Sequence, residues 1–165
     1  MEILAPAGSA EALTAALRAG ADAVYLGLNQ FSARGAAANF DTEQLAQAVA
    51  DCHERGVKVH VALNTLIKDE ERPALYAALQ CICAVGVDAV IVQDLAVAAM
   101  VRACAPALPM HASTQMTVHN LSGVRALEGL GFARVVLARE LTLDEIAYIV
   151  KNTKLEVEVF IHGAL

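Results

Sequence analysis

The stretch Gly86–Asp94, "GVDAVIVQD", decides how the chain is read. A glycine leads into an almost unbroken β-branched run, and the run ends on hydrogen-bonding residues. Three other stretches share this design: "GADAVYLGLN" at 20–29, "GVKVHVALNT" at 56–65 and "GFARVVLARE" at 131–140. Each glycine stands where a preceding helix should end, the position just past the helix that favours glycine. A strand that is apolar on both faces is one covered on both sides, as in a parallel sheet.

The segments between these runs carry apolar residues at helical spacing. Leu13, Ala16 and Leu17 follow a cap at Ser9. Leu45, Ala48, Val49 and Cys52 follow Asp41, with Gln44 placed to complete a capping box. Leu75, Ala78, Leu79 and Ile82 make a third stripe, and Val97, Met100, Val101 and Cys104 a fourth. A fifth helix is predicted over 120–130. A sixth opens on Thr142 and Glu145 and runs through Ile146, Ile149 and Val150.

Adding "ILAPAG" (3–8), "PMHASTQ" (109–115) and "EVEVFIH" (156–162) predicts seven strands alternating with six helices. That order requires a parallel sheet with right-handed crossovers. A doubly wound sheet and a barrel both satisfy it. The even spacing, and the lack of a Gly-rich dinucleotide loop after the first strand, favour the barrel. The predicted fold class is α/β: an incomplete (β/α)8 TIM-like barrel, one domain over residues 1–165. It falls about one βα unit short of the eight strands and roughly 250 residues of a complete barrel.

The composition is apolar, 57% hydrophobic against 18% charged, yet charged residues interrupt every apolar run before it reaches membrane-spanning length. The N-terminus opens on a strand-like segment without a basic leader, so a cytoplasmic location and no membrane partner are expected. A net charge of −6 argues against holding nucleic acid by phosphate neutralisation within this segment alone. It leaves room for an RNA-acting enzyme that uses other domains. The four cysteines are not expected to form disulfides in such a compartment. Cys52 and Cys104 lie on apolar stripes. Cys81 and Cys83 stand about 200° apart around one helix, a spacing that cannot clamp a single metal.

Ligands of parallel α/β folds bind at the carboxyl ends of the strands. Those ends turn polar at Asn64, at Gln93 and Asp94, at His111, Ser113 and Gln115, at Arg139 and Glu140, and at His162. Asn64 and Asp94 also suit helix caps, and Gln93 also suits a satisfied core position. The loop "FSARGAAANF" at 31–40 carries Arg34 and reads equally as a lid or as plain surface. His111, His119, His162 and Glu140 have metal-binding chemistry, but no spacing among them selects a metal site. Ser113 near His111 lacks a nucleophile elbow.

Taken in order, "LAPAGS", "GADAVYLG", "FSAR", "NTL", "GVDAVIVQD", "HASTQM", "RVVLARE" and "FIHGAL" resemble the N-terminal region of the peptidase U32 family across essentially the whole chain. "VQD", "HASTQ" and "FIHGAL" together look most like its ribosomal-RNA-modifying branch. Members were first described as collagenase-like proteases. Several are oxygen-independent hydroxylases of RNA bases or ubiquinone precursors that use cysteine-bound iron–sulfur chemistry, with prephenate for the RNA-modifying ones. The resemblance implies an RNA substrate reached through other domains, prephenate as a small-molecule partner, and a 4Fe-4S cluster held by cysteines beyond Leu165. No cluster ligand is expected within the segment, and the segment alone is expected to be inactive. A peptidase and a non-catalytic module for a small carboxylic acid stay open as alternatives. Carried onto this sequence, the resemblance puts Glu140, His162 and His111 in catalytic positions and Asn64, Gln93, Asp94, Gln115, Arg139 and Arg34 around the substrate. Arg139 would clamp a carboxylate by bidentate pairing.

Overall fold

A computed structural model describes residues 1–33 and 38–162. Among them seven strands alternate with six α-helices: β1 Leu4–Pro6, α1 Ala10–Arg18, β2 Ala23–Gly27, α2 Thr42–His53, β3 Lys58–Leu63, α3 Arg72–Val85, β4 Ala89–Val92, α4 Leu95–Cys104, β5 Met110–Ala112, α5 Leu121–Gly129, β6 Arg134–Val136, α6 Leu143–Asn152 and β7 Glu156–Glu158. Every neighbouring pair is parallel, in the order β1 to β7. The incomplete TIM-like barrel is therefore the observed architecture.

Local chemistry explains the boundaries. Ser9, Asp41, Asp94, Asn120 and Thr142 accept backbone N–H bonds at the starts of α1, α2, α4, α5 and α6, and Asp41–Gln44 and Thr142–Glu145 form full capping boxes. Gly20, Gly56, Gly86 and Gly131 all take positive φ, so each of the four repeated stretches begins on a left-handed turn that a side chain would strain. Two predicted stripes run short. Cys104 and Val150 are exposed, because each lies at the outer edge of a helix packed on the sheet by its other side.

Alternation within each strand separates two layers. Val24, Leu26, Val59, Val61, Leu63, Val90, Val92, Ala112 and Val135 point outward and form one core with Leu45, Leu75, Leu79, Val97, Val124 and Ile149 of the helices. The inner face is different in kind. Along it stand His60, His111 and Arg134, all buried. Arg134 Nη2 reaches Glu2 Oε1 at 2.7 Å, tying the strand before the last to the residue before the first.

Among the described residues, β1 and β7 are each paired on one side only. Unpaired edges invite further pairing. Produced as these 165 residues alone, the chain is expected to associate; light scattering behind size exclusion that finds a stable monomer would contradict this.

Candidate functional site at the barrel mouth

The carboxyl ends of the strands surround a cavity of about 220 Å³. Its floor and walls include Tyr25 and Gly27 from β2, Ala62 and Asn64 at the end of β3, Ile91 of β4, Val136 of β6, and Glu158 and Phe160 from the last strand. Ser113, Thr114 and Gln115 close one side where β5 passes into a single 3-10 turn.

Hydrogen bonds fix the rim. Asn64 Nδ2 donates to Gln115 Oε1 at 2.7 Å, and Asn64 Oδ1 accepts from the Ala33 N–H at 3.0 Å. Ser113 Oγ accepts from the Gln115 N–H at 3.2 Å and lies 3.4 Å from Gln115 Oε1. These contacts lock two amides against each other. Gln115 Nε2 is left facing outward with no partner among the described residues. Asn64 thus anchors the loop after β2, through Ala33, rather than capping a helix. In that loop Phe31 and Asn39 hold positive φ of 64° and 48°, unusual for a bulky aromatic.

Gly27 sits where this loop folds back over β2. A Cβ there would press on the side chains of Ser32 and Asn39, which lie directly against it. Gly27→Val is expected to lever the loop away and fill the floor. Activity of the full-length protein should fall at least tenfold with only a modest loss in melting temperature; unchanged activity would remove the cavity from the site.

The other predicted residues divide. Asp94 is structural: its carboxylate caps α4 through Ala96 N–H (2.6 Å) and holds Ile67 N–H (3.0 Å). Gln93 is half-buried and does not line the cavity. His111 lies inside the barrel rather than at the mouth, its ring edge-to-face with His60 at 4.7 Å between centroids. The strand parity that put it inward was legible, but its depth was not, because β5 ends at Ala112. Arg139 is exposed, with its guanidinium 5.5 Å from the centre of the Phe160 ring. Glu140 and His162 are exposed and stand away from the cavity wall. Arg34 lies outside the described residues.

Three inward residues were missed. Glu158 lines the cavity, and Arg134 and His60 lie beneath it. A charged or imidazole side chain within a strand covered on both sides was the available signal. Arg134 binds Glu156 and Glu158 as well as Glu2. Burial raises the Glu158 pKa and outweighs the hydrogen bond from Arg134 that lowers it. For Glu2 burial pushes the same way, but hydrogen bonds from Arg134 and Lys58 prevail and hold it at about 2. The difference follows first from the deeper burial of Glu158, and then from Lys58, which pairs with Glu2 at 3.0 Å, whereas Glu158 has the like charges of Glu2 and Glu156 beside it.

The described residues do not fit an iron–sulfur cluster. Cys52 is buried in α2, Cys81 and Cys83 lie on α3 and Cys104 ends α4, so all four belong to the outer helical layer. No group of three or more His, Cys, Asp or Glu among the described residues is arranged to hold a metal ion. Among the described residues no helix is long and apolar enough to cross a membrane.

A parallel β/α barrel with a pocket at the carboxyl ends of its strands, apolar in its walls and carrying a few polar groups at the rim, defines the general class. Peptidase family U32 matches residues 8–165, and the chain belongs to that family. It is 39% identical over 165 residues to the 23S rRNA 5-hydroxycytidine C2501 synthase of Escherichia coli K12, covering 100% of this chain and 25% of that protein. It is 36% identical over 164 residues to tRNA hydroxylation protein P1 of Bacillus subtilis 168, covering 99% and 39%. A collagenase of Porphyromonas gingivalis W83 is 36% identical over 176 residues, covering 99% and 42%. The chain therefore spans between a quarter and about two fifths of the length of these relatives. Among solved structures, the U32 peptidase Mk0906 superposes with a TM-score of 0.75 at 17% identity, over 96% of this chain and 68% of that one, a likeness of fold.

Proposed function

We propose that this chain is the pocket-bearing barrel region of an enzyme that hydroxylates a base in ribosomal or transfer RNA. The observation that carries the reading is the match of this whole chain to a quarter or two fifths of RNA-hydroxylation proteins, in a segment whose barrel mouth carries paired amides. A base to be modified must leave its stack and enter a pocket that reads its edge. Asn64, Ser113 and Gln115 supply neutral donors and acceptors for that purpose, and Phe160 and Tyr25 supply ring faces.

In this reading the reaction is oxygen-independent, and the redox chemistry belongs to a 4Fe-4S cluster bound by cysteines outside the segment. Prephenate is the small-molecule partner. Arg139 is the natural holder of one of its carboxylates, since a guanidinium pairs with a carboxylate through two parallel hydrogen bonds. Glu140 and His162, four residues beyond the ends of β6 and β7 and outside the cavity wall, are the proton-moving candidates at the rim. RNA is bound through other domains, in keeping with the net charge of −6, and the protein works in the cytoplasm.

A peptidase is the second reading, favoured by the collagenase relative. Its difficulty is chemical. Ser113 Oγ is engaged with Gln115, and no histidine is hydrogen-bonded to it. Binding of a small carboxylic acid without catalysis is the third.

Nucleoside mass spectrometry of rRNA and tRNA from a strain lacking the gene tests the proposal. Loss of a 5-hydroxylated pyrimidine, restored by the wild-type gene, is the expected result. An unchanged nucleoside profile, together with gelatin cleavage by the pure protein, would favour the peptidase.

A further inference from the structure

We propose that the cavity sorts ligands by charge, admitting an uncharged ring and turning away an anionic one, with Glu158 as the residue that decides. The inference rests on the RNA-hydroxylation reading and adds which of its two small partners enters: the base, whichever base it is, and not the carboxylic acid.

Glu158 is the only charged side chain among the described residues lining the cavity, and no lysine, arginine or histidine stands among them. It is 20% exposed, and its Oε2 accepts from Arg134 Nη1 at 3.2 Å. Arg134 does not neutralise the cavity, because Glu2, at 2.7 Å, and Glu156 share it. Lys58 adds one more cation, 3.0 Å from Glu2. Three carboxylates thus stand against two cations behind the cavity, an excess of one negative charge. His60 and His111 do not make up the difference. Both are buried, and burial above all lowers them to about 4 and about 3, so neither is charged at neutral pH.

The walls sharpen the effect. Leu4, Ile91 and Val136 are apolar, and Tyr25 and Phe160 add rings. Apolar surroundings strengthen repulsion between like charges and raise the cost of stripping water from an ion. Burial raises the Glu158 pKa, and Glu2 and Glu156 push the same way against the bond from Arg134. One negative charge is already disfavoured here, and a second must arrive with a proton.

Helix N-termini are the other common anion sites at such a mouth. Here they carry oxygen acceptors of their own: Ser9 on α1, and the carboxylates of Asp41 and Asp94 on α2 and α4, while Asp69, Glu70 and Glu71 directly precede α3. An uncharged ring meets none of these penalties. Asn64 and Gln115 offer it donors and acceptors, and about 220 Å³, below the roughly 300–1,000 Å³ of drug-sized sites, suits a single ring system. Arg139 lies outside the lining, its guanidinium 5.5 Å from the centre of the Phe160 ring. Negative groups of either partner are therefore met at the rim and not inside.

The test uses the full-length protein and two probes of nearly the same shape, the carboxylate orotate and its uncharged amide, orotamide, with ligand-observed NMR or calorimetry as the readout. Orotamide is expected to bind at least roughly tenfold tighter, since like charges brought together at a binding site cost that much or more. Glu158→Gln keeps the shape and leaves two carboxylates against two cations, and should bring the ratio within about threefold. Prephenate added to the orotamide complex should leave the amide in place. Orotate binding as tightly as orotamide, no binding of orotamide, its displacement by prephenate, or a ratio unmoved by Glu158→Gln would overturn the proposal. If that variant is not recovered folded, the wild-type ratio and the prephenate competition decide. Failure of the hydroxylation reading shows separately, as an unchanged RNA nucleoside profile in the deletion strain, whatever the cavity binds.

Discussion

Arg134→Met is expected to destabilise the chain by about 3–5 kcal/mol, the usual consequence of removing one partner from a buried ion pair. Total stabilities of domains are only about 5–15 kcal/mol, so this single change removes a large part of the whole. The reason lies in position. Arg134 is buried on the inner face of β6, where Glu2, Glu156 and Glu158 converge on it. Methionine fills much of the volume but leaves Glu2 and Glu158 with no guanidinium between them. The effect also falls where the sheet is weakest, because Arg134 to Glu2 is a side-chain tie between the two halves of an otherwise one-sided curl. Arg134→Lys keeps the charge but not the fork, and should lie between. Urea unfolding of the wild type and both variants measures this. A shift below about 1 kcal/mol for Arg134→Met would mean that the carboxylates find water instead, as surface pairs do.

The second large effect is acid sensitivity. His60 and His111 meet edge-to-face inside the barrel, and the Nδ1 of each is buried without a hydrogen-bond partner. Burial holds His60 at about 4; burial first, and then the neighbouring His60, hold His111 at about 3. In the unfolded chain both titrate near 6.5. As pH falls from 6.5 towards 4, the unfolded chain takes up protons that the folded one refuses, so stability drops over that window. At pH 5 the loss is on the order of 2 kcal/mol for each histidine. Glu2, held at about 2, still contributes almost fully at pH 5 and loses its contribution as pH falls from about 4.5 towards 2. Glu158, raised by burial, acts in the opposite sense and offsets a little of the loss. Melting temperature should fall by roughly 8–16 °C between pH 7.5 and 5, and His111→Leu should flatten about half of that slope. A flat profile in the wild type would show that water or relaxation reaches the two rings.

The fold was legible because its signal repeats. Four glycine-to-strand stretches and five apolar stripes at helical spacing predict most of the observed elements, and the caps at Ser9, Asp41 and Thr142 fall where the residue types put them. The site was legible in outline only. Asn64 and Gln115 do meet at the rim, 51 residues apart in sequence, because parallel strands bring their carboxyl ends together. Asp94 has the same rim position yet is spent on backbone, one oxygen capping its own helix at Ala96 N–H and the other accepting from Ile67 N–H after β3. Depth was not legible. His111 and Ser113 are two residues apart and both buried, yet only Ser113 lines the cavity, while the His111 ring packs edge-to-face on His60. Glu158 and Arg134 escaped notice for a related reason. Alternation places both inward, but their meeting depends on the register of β6 with β7, Val136 opposite Glu158, and register is set by three-dimensional pairing rather than by either strand alone.

The central claim is that the amide-lined mouth of this barrel is where an RNA base is modified. Its most direct test is the 5-hydroxylated nucleoside content of RNA from a deletion strain carrying the full-length gene with Gln115→Leu. Leucine keeps the size of the side chain and removes its hydrogen bonds to Asn64 and to a ligand. The account predicts a drop of at least tenfold relative to the wild-type gene at equal protein level. Wild-type amounts of the modified nucleoside would contradict it.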